Sequence, residues 1–218
     1  MDFDKYHKFF VNLKEEDYPH WQGVFIQKNP LDLWAYAEII LKTAPDVIIE
    51  TGTFRGGSAL FFSDIQQIMK PGGIVISIDS RNRLDSRSRM SSRIPEDLEK
   101  VDTSFITFLR GYSYSSHLLQ RVKGLIDPDL SVMVSLDAAH SPDEVFLEII
   151  NYSPLVTKGC YLVVEDTHLG TIIAKDEKGP TKAVEMFLNT TDNFEVDPHC
   201  ERFGVTYNPG GWLKRIKE

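Results

Sequence analysis

The sequence predicts a doubly wound α/β domain, with a mostly parallel sheet closed by a C-terminal antiparallel β-hairpin. Three observations predict it. Five short apolar runs rich in β-branched residues recur along the chain, each followed by a helical pattern. Within each run the apolar character is continuous rather than alternating, the habit of parallel strands covered by helices on both faces. The last two strand-like runs have no helical pattern between them, so they pair as a hairpin.

The runs are DVIIET at 46–51, IVISIDS at 74–80, ITFLRG at 106–111, SVMVSLD at 131–137 and CYLVVED at 160–166. Helices are expected at 30–43, 57–69, 115–122, 142–152 and 180–188. Pro142 and Pro180 stand at first-turn positions, where proline's missing N–H leaves no helical bond unmade. FEVDPH at 194–199 and FGVTYNP at 203–209 form the expected hairpin. Ahead of the sheet, residues 1–45 read as a helical, aromatic lead-in packed on the core, with Tyr18, Trp21 and Phe25 candidates for stacking on a ligand. Residues 46–218 then form the main domain. The Arg- and Ser-rich stretch 81–93 is either a solvated loop or an active-site lid that recruits an anionic group.

A chain of 218 residues suits one domain of this class. Its net charge of −8 argues against nucleic-acid binding, which needs a basic footprint to displace counterions. No apolar run approaches the ~20 residues of a membrane span. The start, MDFDKYHKFF, has neither a secretory apolar region nor a transit-peptide character, which predicts a cytoplasmic protein. Cys160 and Cys200 are too few for a disulfide framework. A homo-oligomer stays open.

In open α/β sheets, ligands bind beyond the carboxyl ends of the strands. The first run delivers Glu50-Thr51-Gly52-Thr53-Phe54-Arg55-Gly56-Gly57-Ser58 there. Glycines allow a sharp turn and close approach to a ligand, and the following helix offers unpaired N–H groups. Glu50, Thr51, Gly52, Thr53, Gly56 and Ser58 are the candidate cofactor loop. The spacing is neither a dinucleotide GxGxxG nor a P-loop. Asp79, ending the second run, is placed to accept hydrogen bonds from ribose hydroxyls, so the ligand carries an adenosine, as NAD or S-adenosylmethionine do. Tyr112 and Ser113, after the third run, line the adenosine or the acceptor. Asp137, Glu165 and Asp166 close the fourth and fifth runs, where three carboxylates repel unless a cation or protons compensate. Oxygen ligands of this kind suit Mg²⁺ or another hard divalent cation. His140, just past Asp137, is within reach of the same place.

VIIETGTFRGGSALFF, VMVSLDAAHS, YSPLVTKGCYLVVEDT, GPTKAVEMFL and ERFGVTYNPGGWLKRI together resemble the cephalosporin hydroxylase family, which also contains rhamnosyl and macrolide-sugar O-methyltransferases. The resemblance runs from Trp21 to Ile216. It implies the Rossmann-like doubly wound sheet of class I methyltransferases, S-adenosylmethionine as cofactor and a bound divalent metal. Asp137, Glu165 and Asp166 match the family's metal ligands, His140 the proposed base, Asp79 the ribose-binding acid and residues 50–56 the cofactor loop. LDAAHS carries Ala139 where many relatives carry an acid, while Asp137 is retained. The implied activity is Mg²⁺-dependent O-methylation of a hydroxyl on a sugar or glycosylated natural product. Two other readings stand beside it. An NAD-dependent oxidoreductase would use Asp79 equally well, although a close glycine pair and a Tyr-x-x-x-Lys relay are missing. A non-catalytic, cofactor-binding partner of an oxygenase is the third.

Overall fold

A computed structural model describes residues 2–80, 98–170 and 179–218. The chain opens with α1 (Phe3–Val11), whose N-terminus is capped by the Asp2 side chain. A two-stranded ribbon follows, β1 (His20–Trp21) paired antiparallel with β2 (Val24–Phe25). Gln22 and Gly23 turn it with φ of 49° and 83°, the positive values that a two-residue hairpin loop demands. α2 (Pro30–Thr43) starts at Asn29, whose side chain accepts from the Leu31 N–H, and ends at left-handed Ala44. The expected helix at 30–43 is therefore present, but the lead-in also holds α1 and the β1–β2 ribbon. α1 puts Phe3, Tyr6 and Phe10 at helical spacing but spans only 9 residues, and each strand of the ribbon is 2 residues, too short for periodicity to mark.

The sheet begins with β3 (Val47–Thr51) and continues through α3 (Gly57–Met69), β4 (Ile74–Asp79), β5 (Ile106–Arg110) and α4 (Ser116–Lys123). Then come β6 (Val132–Leu136), α5 (Pro142–Tyr152), β7 (Tyr161–Val164), α6 (Pro180–Leu188), β8 (Phe194–Val196) and β9 (Trp212–Arg215). Among the described residues, seven strands of the main sheet lie in the order β5-β4-β3-β6-β7-β9-β8. β3 to β7 run parallel, and β9 is antiparallel to both its neighbours. Strand order reverses at β3 and β6, so the carboxyl ends of these two strands flank a natural crevice. Every residue of β3, β6 and β7 is buried, as continuous apolar runs require. Pro142 and Pro180 occupy the first turns of α5 and α6, as their positions predict.

One element falls elsewhere than expected. β8 pairs with β9 at 212–215, so the second strand of the hairpin is not 203–209. Residues 203–209 carry strand-like apolar spacing, yet their polar groups are spent on other elements. The Tyr207 N–H donates to Asp32 Oδ2 at 2.8 Å, and its carbonyl accepts from the His168 N–H at 3.0 Å. The segment is thus tied to the start of α2 and to the loop after β7. Trp212 instead enters the sheet, fully buried, with its ring 4.9 Å from that of Tyr36.

Candidate active site

A cavity of about 450 Å³ opens at the carboxyl ends of β3, β4, β6 and β7. Gly52, Phe54, Asp79, Tyr112 and Ser113 line it together with His7, Phe10, Tyr18 and Tyr207 and with Asp137, His140, Asp166 and His168. The place is the one the strand order dictates. The aromatic lining comes largely from the lead-in, since α1 supplies His7 and Phe10.

The loop after β3 is shaped by two constraints. Gly52 has φ 91°, and a Cβ there would stand 2.2 Å from the Asp137 carbonyl oxygen, so only glycine lets β3 and β6 end this close together. Phe54, with φ 46°, donates its N–H to Asp79 Oδ2 at 2.9 Å. Asp79 therefore lines the cavity and fastens the loop at once. Glu50 does not reach the cavity. It is fully buried between β4 and β6, accepting from Ser58 Oγ on one oxygen and from Ser77 Oγ at 2.6 Å on the other. Burial raises its carboxyl to about 7, against the pull of Lys28 and of those two hydroxyls. Thr53 Oγ1 joins the same network 2.7 Å from Ser77 Oγ. Glu50, Thr53 and Ser58 thus position the loop from below, and Thr51, also fully buried, accepts the Asp137 N–H at 3.0 Å. Gly56, with φ 79°, sits against Leu98 rather than the cavity. Of the loop residues expected to touch a cofactor, Gly52 is the one that lines the cavity.

The carboxylates converge as expected, with an unexpected companion. Lys28, buried, places Nζ 2.6 Å from Asp137 Oδ2 and 2.6 Å from Glu165 Oε1. Burial works against its charge, but Asp137, Glu165 and Glu50 outweigh that and hold the ammonium above the ordinary lysine range. Glu165 Oε1 also accepts from Tyr36 Oη and Ser135 Oγ, each at 2.8 Å. Asp166 has φ 57°, a strained value for a non-glycine residue, held by an Asn208 Oδ1 that accepts its N–H at 3.0 Å. Burial, reinforced by Glu165 and Asp166, raises Asp137 well above the usual carboxylate range, with Lys28 opposing. Burial also raises Asp166, with His168 and His140 opposing and Glu165 adding to it.

Among the described residues, no three acidic, imidazole or thiol side chains are gathered into a closed metal centre as they stand. Lys28 takes one oxygen from each of two expected ligands. The donor chemistry nevertheless fits a hard divalent cation. Lys28 bonds two of the three carboxylates, and beyond the effect of burial the push of Glu165 on both Asp137 and Asp166 shows that the acidic groups lie close together.

Two histidines flank this cluster. His140 is half exposed, with Nδ1 3.6 Å from Asp166 Oδ2. His168 is buried and stacked on Tyr207, ring centroids 4.3 Å apart. Its Nδ1 lies 2.8 Å from the Tyr207 carbonyl, which can only accept, so Nδ1 carries the proton and Nε2 is the free acceptor. Burial lowers its pKa, although Asp166 and that carbonyl oppose. Lys28, His168, Tyr207 and Asn208 are not marked as site residues by the sequence pattern; apart from His168 beside Asp166, the partners named here lie far along the chain. Lys28 is 109 residues from Asp137. Of the three aromatics marked for stacking, Tyr18 lines the cavity. Trp21 is held away by its bond to Asp64 Oδ2 at 2.6 Å, and Phe25 is buried beneath Tyr18. The expected lid at 81–93 lies outside the described residues.

Comparison with known proteins places this geometry in a family. Residues 15–216 match the family described as Rhamnosyl O-methyltransferase/CmcI. The chain is 29% identical to a rhamnosyl O-methyltransferase of Mycobacterium leprae (strain TN), over 97% of this chain and 90% of that protein. A rhamnosyl O-methyltransferase of Mycobacterium bovis (strain BCG / Pasteur 1173P2) is also 29% identical, over 97% of this chain and 84% of its own length. Among solved structures, a Mg and S-adenosylmethionine form of CmcI superposes with a TM-score of 0.65 at 23% identity, covering 91% of this chain and 76% of that one. The O-methyltransferase TomG of Streptomyces achromogenes, in complex with S-adenosylmethionine, gives 0.60 at 15% identity and covers 100% of both chains. These two likenesses support the doubly wound fold. With nearly its whole length matched, the chain belongs to the rhamnosyl O-methyltransferase/CmcI family.

Proposed function

We propose that this family member, an S-adenosylmethionine-dependent O-methyltransferase, methylates a hydroxyl of a sugar or glycosylated small molecule held against the aromatic lining of its cavity. The observation that carries this reading is the cavity itself: Gly52, Asp79 and Tyr112, the rings of Tyr18 and Tyr207, and His140 beside Asp166 all line the same space. When bound, S-adenosylmethionine supplies an electrophilic methyl group on a sulfonium. Asp79 would accept from its ribose hydroxyls, while Tyr112 and Ser113 would wall its adenosine. His140 would take the proton of the acceptor hydroxyl, and the Asp166 carboxylate would favour the imidazolium so formed. Tyr18 and Tyr207 would lie against a sugar face and exclude water. Methyl transfer asks little covalent chemistry of the protein, so holding the two reactants in line would dominate the acceleration. Asp137, Glu165 and Asp166 are the residues that would hold Mg²⁺ or a similar cation, whose charge would acidify and position acceptor oxygens.

The test is turnover of purified protein with S-adenosylmethionine and a panel of rhamnosylated and other glycosylated acceptors. S-adenosylhomocysteine should form only when an acceptor is present. His140→Ala should lower kcat by about 10²- to 10⁴-fold and leave S-adenosylhomocysteine binding intact. An unchanged kcat would remove His140 as the base and direct attention to His168 Nε2.

A further inference from the structure

Lys28 is a buried cation that the proposed chemistry does not use. Its side chain is 4% exposed, and it bridges the carboxylates of two different strand ends at 2.6 Å each. Its position is fixed from the lead-in side. The next residue, Asn29, caps α2, is buried, accepts from Tyr6 Oη at 2.8 Å and donates to Asp32 Oδ2 at 3.1 Å. The ammonium is therefore held by the start of α2 while it grips the ends of β6 and β7.

We propose that Lys28 is the built-in cation of this site: it sets Asp137 and Glu165 in place before any metal arrives, and it holds down their affinity for a divalent cation. An incoming metal meets two carboxylates that have each committed one oxygen to an ammonium, with that positive charge close behind them. Repulsion between like charges at such short range is strong even after screening. Removing the charge without removing the carboxylates should therefore strengthen metal binding, whereas a lysine that merely organised the ligands would weaken it when lost.

This inference rests on Asp137, Glu165 and Asp166 forming the cation site, and its test reads metal affinity rather than turnover. Mn²⁺ is titrated into metal-free protein, with free Mn²⁺ followed by electron paramagnetic resonance, for the native chain, Lys28→Met and Lys28→Gln. Both neutral variants should bind Mn²⁺ at least about tenfold more tightly, equivalent to about 1.4 kcal/mol. Metal-free Lys28→Met should melt below the native protein and recover when Mn²⁺ is saturating. Equal or weaker Mn²⁺ binding by folded variants, or no binding by any of the three proteins, overturns the proposal. Should neither variant fold without metal, recovery of the native circular dichroism in Mn²⁺ supports it, and failure to recover overturns it. S-adenosylhomocysteine titrated in parallel keeps the two readings apart: Mn²⁺ behaviour as expected without S-adenosylhomocysteine binding would sink the proposed function and leave the role of Lys28 standing.

Discussion

Replacing Gly52 by Ala tests how the cofactor loop is joined to the carboxylate cluster. At φ 91° an L-residue is strained by about 1–2 kcal/mol. The new Cβ would lie 2.2 Å from the Asp137 carbonyl oxygen and 2.7 Å from its carbon. Both are backbone atoms, and Asp137 is already bonded through its N–H to the Thr51 carbonyl at 3.0 Å, so neither strand end can swing aside alone. β3 and β6 must part at their ends, and overpacking of this kind costs about 1–3 kcal/mol. The sum is about 2–5 kcal/mol, a large share of a typical domain's stability. Urea denaturation should show a lower midpoint with an unchanged slope, and calorimetry should show S-adenosylhomocysteine binding weakened by about tenfold or more. A Gly52→Ala protein with native midpoint and native affinity would refute the close approach and the loop's role together.

Other consequences follow from buried polar groups. Glu50 is raised to about 7 from 4.5, so it contributes stability that is present at low pH and lost as pH rises through about 7. Between pH 5 and 8 that loss should be about 2 kcal/mol, and Glu50→Gln should flatten the stability profile by a similar amount, read by denaturant titration across pH. Asp32, also raised to about 7 by burial, would leave a residual slope of the same sign. Asn208→Ala removes the acceptor of the Asp166 N–H and should cost about 1–3 kcal/mol in a thermal or denaturant melt; a native midpoint would contradict the strain assigned to Asp166. Tyr207→Leu should raise the acceptor KM by about 2- to 10-fold through lost ring contacts and leave the S-adenosylmethionine KM unchanged; equal effects on both would place Tyr207 outside the acceptor site.

The sheet was legible in the sequence because its strands are buried on both faces and so are written as unbroken apolar runs. The site was legible in outline because strand ends are where such a sheet delivers its polar residues, and Asp79, Asp137, Glu165 and Asp166 stand at those ends. Two things were not. Local pattern cannot say whether a strand-end side chain points into the crevice or under it, and Glu50 and Ser58 turned inward to fasten the loop. Pattern also cannot pair distant residues, so Lys28, which looks like an ordinary surface lysine before a helix, gave no sign of its two carboxylates. Residues 203–209 misled for a related reason: strand-like composition does not reveal that Asp32 and His168 take the Tyr207 backbone groups that a ladder would need.

The most direct test of the account is mass spectrometry of rhamnosylated acceptors after incubation with the purified chain and S-adenosylmethionine. Acceptors should carry one added methyl on a sugar oxygen, in step with S-adenosylhomocysteine formed, and His140→Ala should lose nearly all of that product. A folded chain that binds S-adenosylhomocysteine yet leaves every glycosylated acceptor unmethylated would contradict the proposed function.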